Sequence, residues 1–138
     1  MTTGRALYTA RVHTQGFRDG GISRSDDGCL YIRHALPGFN SSGTNAEQLF
    51  AAGWSACFDA SLGLAALRLQ VLLPADVSID AEVDLCLGGE AYFLRARLNV
   101  SLPGLDRELA HQLIDAAHRT CPYSKAVRGN VEVLLNLL

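Results

Sequence analysis

Two thiols stand where chemistry is conceivable, Cys57 within "AAGWSACFDASLG" (51–63) and Cys121 within "HRTCPYS" (118–124). As filler, Cys57 is a small buried hydrophobe, because free cysteine is among the most buried residue types. As a reagent it has a possible partner in Cys121, which "CPYS" places at the C-terminal end of a helix, in an irregular turn where thiols are usually reachable. If the two are a redox pair, the negative end of that helix works against an attacking thiolate at Cys121. A mid-helix Cys57 feels little of its own helix and needs a nearby cation to ionise. Cys57 then attacks and Cys121 resolves.

The candidate cation is Arg18 in "GFRDG", which is otherwise a solvated arginine in a glycine-bearing turn. Glu47 is either a carboxylate that stabilises the first turn of a helix or the partner that fixes the Arg18 guanidinium plane through a bidentate pair. On a single helix Glu47 and Cys57 are separated by about 15 Å along the axis. If both serve one site, Glu47 comes from a second copy of the chain. The remaining thiols look incidental, Cys86 on the polar face of a strand and Cys29 beside a turn. His118 and Cys121 share "HRTC", but there is no CxxC pair and no HExxH, so no bound metal is expected. His13, His34 and His111 have no readable partner, and nothing resembles a Ser/His/Asp set or a phosphate-binding loop.

These residues must be positioned by elements that the pattern makes legible. Residues 5–14 alternate with Ala6, Tyr8, Ala10 and Val12 on one side, which predicts a strand. Short strands follow around Gly21–Ser25 and Cys29–Ala35, and "LPGFNSSGTN" is a loop. Thr44 or Asn45 caps a helix from about Ala46 to Leu69, limited by Pro74. Residues 77–87 alternate cleanly, and so do residues 92–100. A turn centred on Gly88 and Gly89 would set Glu82 opposite Arg95, Asp80 opposite Arg97 and Val83 opposite Leu94. "PGLDRELAHQLIDAAHRTC" predicts a second helix from Asp106 that ends before Pro122, and residues 130–137 predict a last strand. The order is β-β-β-α-β-β-α-β, in one domain over 1–138. The first helix has almost no polar face, so a second subunit is the expected cover.

Composition narrows the classes. The chain has 138 residues, 49% hydrophobic and 19% charged, with a formal net charge of −2. That suits one globular domain and leaves no basic block for nucleic acid or an anionic membrane surface. Arg5 and Arg11 interrupt any leader-like apolar stretch, and no uncharged apolar run is long enough to span a bilayer, so a cytoplasmic protein with free thiols is expected.

The segments "TNAEQLFAAGWSACF" (44–58), "AHRTCPYSKAVRGNVEV" (117–133), "FRDG" (17–20) and "LPADVSI" (73–79), with the two thiols 64 positions apart, closely resemble the organic hydroperoxide resistance proteins of the OsmC superfamily. The resemblance implies an α+β fold forming an intertwined homodimer, with long central helices packed against outer antiparallel sheets. It also implies a peroxidase that reduces organic hydroperoxides to alcohols without a bound cofactor. Cys57 would be the peroxidatic thiol and Cys121 the resolving thiol, with Arg18 and Glu47 activating Cys57. A dithiol such as dihydrolipoamide, or a lipoylated protein, would return the electrons. Phe17, Phe50 and Trp54 are expected to line an apolar peroxide pocket. Ala46 stands where the family usually has proline, Trp54 where it has tyrosine or phenylalanine, and the loop at 36–43 looks short. Two alternatives use the same residues: a broad OsmC-type peroxidase that also handles hydrogen peroxide, and a redox-sensing or binding module in which the disulfide forms without turnover.

Overall fold

The structure is a computed structural model and describes residues 3–16, 20–38 and 42–138. It comprises two compact units, Met1–Ala46 and Glu47–Leu138. In the first, β1 (Val12–Gln15), β2 (Ile22–Ser25) and β3 (Tyr31–Arg33) form an antiparallel meander in that order. The predicted strand over 5–14 is therefore much shorter than its alternation suggested. β2 offers partners only as far as Ser25, opposite Val12, and the described residues before Val12 pair with no strand of this chain. His34, which the sequence left unpartnered, meets the buried Ser23 hydroxyl at 2.7 Å, and Ser23 meets Thr14 at 2.6 Å, so one chain of polar contacts ties the meander together.

The second unit is built on a sheet of order β4-β5-β6, with β4 (Ser78–Gly88) antiparallel and β6 (Glu132–Leu137) parallel to the central β5 (Ala91–Ser101). The hairpin register differs by two residues from the predicted one. Gly88 pairs with Ala91, and the loop is Gly89-Glu90 with Gly89 at φ +62°, the left-handed first position that glycine takes without penalty. Glu82 thus faces Arg97, Asp84 faces Arg95, and Val83 faces Ala96. A shift of two keeps every side chain on its face. Arg97 now donates from Nε to Glu82 at 2.8 Å and from both terminal nitrogens to Asp84 at 2.8 Å, which holds both carboxyls below their usual range.

Three helices cover the other face. α1 (Ala46–Arg68) ends at Gln70, whose φ of +55° lets Gln70 N–H and Val71 N–H reach back to the Leu67 and Ala66 carbonyls, four residues before Pro74 is met. α2 (Arg107–Thr120) starts where predicted, with the Asp106 carboxylate accepting from Leu109 N–H. α3 (Pro122–Val127) is an addition to the expected order, a short helix that begins on Pro122 itself. Trp54, Phe58 and Leu62 of α1, Leu113 and Ile114 of α2, and Leu98 and Val100 of β5 form the core. Leu98→Ala is expected to lower stability by about 3 kcal/mol, because this side chain is fully enclosed and the cavity cannot collapse freely. Urea unfolding should show the midpoint falling with an unchanged slope.

α1 is long and apolar enough to cross a membrane by length and composition, yet it carries Glu47, Asp59 and Arg68, and one side of it forms this core. It is not buried all round within one chain. Ala52, Ala56, Ala60, Gly63 and Leu67 succeed one another on an exposed side.

Candidate active site

α1 and the α2–α3 junction bring the two thiols together. Cys57 lies on the edge of the apolar stripe of α1, between the buried Trp54 and Phe58, and is itself half-buried. Cys121 is the residue at which α2 ends and α3 begins: its N–H donates to the Ala117 carbonyl at 2.8 Å and its carbonyl accepts from Lys125 N–H at 3.0 Å. The two sulfurs are 3.3 Å apart and not bonded covalently. Among the described residues Cys29 and Cys86 join no such pair, and no three His, Cys, Asp or Glu side chains converge as metal ligands.

One expectation about access is reversed. Cys121 was placed in a reachable irregular turn, but it is fully enclosed. The reason is that the apolar stripe Ala110, Leu113, Ile114, Ala117 continues one turn further to Cys121, and Pro122 starts a new helix at once instead of a loop. A small molecule entering from solvent therefore meets Cys57 first and Cys121 behind it.

Electrostatics at Cys57 oppose ionisation within the described surroundings. Burial pushes the thiol above its ordinary pKa, the neighbouring Cys121 adds to that, and the backbone N–H of Tyr123 acts in the opposite direction. The Tyr123 ring is partly exposed and lies over α1 one turn before Cys57. A Cβ on Gly53 would stand 3.0 Å from its hydroxyl oxygen, so the glycine leaves room for the ring. His118, three residues before Cys121, is held below its ordinary pKa by burial and by Arg128.

The other expected site residues divide. Glu47 is in the first turn of α1, half-buried, and no described side chain pairs with its carboxylate. Phe17 and Arg18 lie outside the described residues, as do residues 39–41 of the loop at 36–43. Phe50 is half-buried and meets Trp54 edge to face, with ring centroids 5.7 Å apart. Trp54 is fully enclosed, and its indole Nε1 donates to Ser124 Oγ at 3.1 Å. No spacing rule links residues 70 positions apart, so this last contact was invisible in the sequence; the only signal was a tryptophan in an apolar helix, whose N–H must find a partner when buried.

Residues 38–136 match the family model of the OsmC-like proteins. Across 136 residues the chain is 39% identical to an organic hydroperoxide resistance protein of Xanthomonas axonopodis pv. citri (strain 306), covering 96% of both chains. The chain belongs to this family. It is also 43% identical over 139 residues to the organic hydroperoxide resistance protein OhrB of Bacillus subtilis (strain 168), covering 96% of this chain and 98% of that one. The crystal structure of OhrB superposes on the fold with a TM-score of 0.90 at 41% identity, over 96% of this chain and all of the other. The α+β architecture is thus that of the family.

Proposed function

We propose that the chain is a cysteine peroxidase that reduces organic hydroperoxides to alcohols. The observation that carries this reading is the thiol pair: the sulfur of half-buried Cys57 lies 3.3 Å from that of fully enclosed Cys121. The names and full-length similarity of its relatives support the same class of substrate. Cys57 thiolate attacks the distal oxygen of ROOH, the O–O bond breaks, and RO⁻ leaves and takes a proton to become the alcohol. Cys57 is left as a sulfenic acid. Cys121 attacks that sulfur, the S–O bond breaks, and hydroxide leaves with the Cys121 proton as water, leaving the disulfide. A dithiol such as dihydrolipoamide, free or on a lipoylated protein, reduces it.

Arg18 supplies the positive charge that Cys57 lacks among its described neighbours, and Glu47 orients Arg18. The half-buried Glu47, unpaired among the described residues, and the exposed small residues of α1 suit a homodimer in which Glu47 serves the partner's thiols. A reducing cytoplasm suits four cysteines that are all free. Phe50, with Trp54 packed edge to face behind it, lines the approach to Cys57, so that the alkyl part of the peroxide is taken out of water at about 0.8 kcal/mol per buried methylene.

The test is consumption of an alkyl hydroperoxide and of hydrogen peroxide with excess dihydrolipoamide. Sustained turnover with a higher kcat/KM on the alkyl compound supports the reading. Equal values on the two would indicate a broad-specificity peroxidase, and one stoichiometric disulfide without turnover would indicate a sensor. Phe50→Ala is expected to lower kcat/KM on the alkyl hydroperoxide roughly tenfold while changing that on hydrogen peroxide little, because only the former has a tail to bury.

A further inference from the structure

The bond from Trp54 to Ser124 joins the same two segments as the thiol pair, one turn away. Trp54 precedes Cys57 by three residues on α1, and Ser124 follows Cys121 by three residues into α3. The segments run in opposite directions, so Trp54–Ser124 and Cys57–Cys121 are successive rungs between them, 3.1 Å and 3.3 Å long. All but Cys57 of these four residues are fully enclosed.

α3 needs such a tie. Six residues cannot hold a helix by propensity alone, so its placement comes from tertiary contacts. It buries only Ser124 and Val127. Val127 supplies apolar contact without direction, whereas a hydrogen bond between two enclosed polar atoms fixes distance and angle and is expensive to leave unmade. Cys121 is the first fixed point upstream of Ser124, through the bond from Lys125 N–H to its carbonyl. Whatever sets Ser124 therefore sets the near end of the Cys121 backbone. Closing the sulfur pair to a covalent length of about 2.0 Å needs an approach of little more than an ångström, so small displacements of α3 matter.

Resting on the peroxidase reading above, we propose that Trp54 and Ser124 are positioning residues for the resolving step. Their buried hydrogen bond holds the Cys121 sulfur in reach of Cys57, so that disulfide closure outruns a second oxidation of Cys57. They touch neither peroxide oxygen nor sulfur. The step they serve is the condensation in which the S–S bond forms, the Cys57 S–O bond breaks and water leaves. The competing step is attack of Cys57 sulfenate on a second hydroperoxide, which gives a sulfinate and a second alcohol.

The test treats the reduced protein with increasing alkyl hydroperoxide and reads the ratio of sulfinate to disulfide from intact mass, beside the rate of first peroxide loss. Ser124→Ala is expected to raise that ratio roughly tenfold at equal peroxide, the scale of one lost hydrogen bond, with the first-step rate unchanged. Ser124→Thr, which keeps the hydroxyl, should return it towards wild type. Trp54→Phe, which keeps an aromatic ring but not the donor, gives a second variant should Ser124→Ala fold poorly; because Trp54 also packs on Phe50, it is read by the ratio alone, with no expectation for the first-step rate. The double variant should be no worse than the more affected single one, as for two ends of one contact. A ratio equal to wild type in both folded single variants overturns the proposal. Failure of the wild type itself to form the 57–121 disulfide overturns the peroxidase reading as well, and is seen before any variant is made.

Discussion

Cys57→Ser is expected to lower kcat/KM for an alkyl hydroperoxide by on the order of a thousandfold or more, because a hydroxyl in place of the attacking sulfur leaves only binding and orientation behind. Cys121→Ser should differ in kind. Its first turnover should run at the wild-type rate, after which the protein stops, with Cys57 carried on to sulfinate as peroxide is increased. Peroxide loss in a single mixing experiment, followed by mass analysis, separates the two. Exposed Cys29 and half-buried Cys86 remain in both variants and define the background. A Cys57→Ser protein that keeps turning over at the wild-type rate would remove Cys57 from the chemistry.

Arg18→Gln should have the next largest effect, and it should appear as a displaced pH profile. Burial already raises the Cys57 pKa, and the Tyr123 N–H is the one opposing influence among its described neighbours. A raised pKa means that the neutral thiol dominates at neutral pH and that the reactive thiolate grows about tenfold for each unit of pH below that pKa. A cation close by favours the thiolate and lowers the pKa. Removing it moves the acid limb of log kcat/KM to higher pH by about one to three units. At neutral pH that is roughly a ten- to thousandfold loss, recovered as the medium becomes alkaline. Glu47→Gln should give a smaller shift in the same direction, since it loosens the guanidinium without removing its charge. An unmoved profile in Arg18→Gln would assign activation of Cys57 to another group.

Much of this fold could be read from local chemistry. Asp106 marked the start of α2 because a carboxylate three residues before an N–H is a local event, and the unbroken alternation over 77–87 declared a strand whatever its partner. The hairpin register was off by two because two adjacent glycines do not say which of them takes the left-handed position. Burial of Cys121 is not legible, because a proline that ends one helix is equally suited to open the next, and no irregular turn then separates them. The strand over 5–14 was overextended because alternation reports what a segment is suited to pair with, while pairing depends on how far the neighbouring strand runs. At the site, the pairing of the two thiols was legible from their settings and from the family likeness. The Trp54–Ser124 bond was not, because a contact between residues 70 apart is created by packing alone.

The unequal burial of the two thiols also sets a direction on the way back. If the proposed disulfide keeps the burial of the free thiols, an incoming dithiol would reach half-buried Cys57 before fully enclosed Cys121. On the proposed mechanism the mixed disulfide would form on Cys57, and Cys121 would be the leaving thiol, expelled into the apolar stripe of α2. A thiolate leaves poorly there, so on this mechanism regeneration would have to deliver a proton to Cys121 as the bond breaks. The geometry that shields the second sulfur from peroxide thus makes protonation of the leaving group a step that the reductant, or water beside Cys57, has to supply.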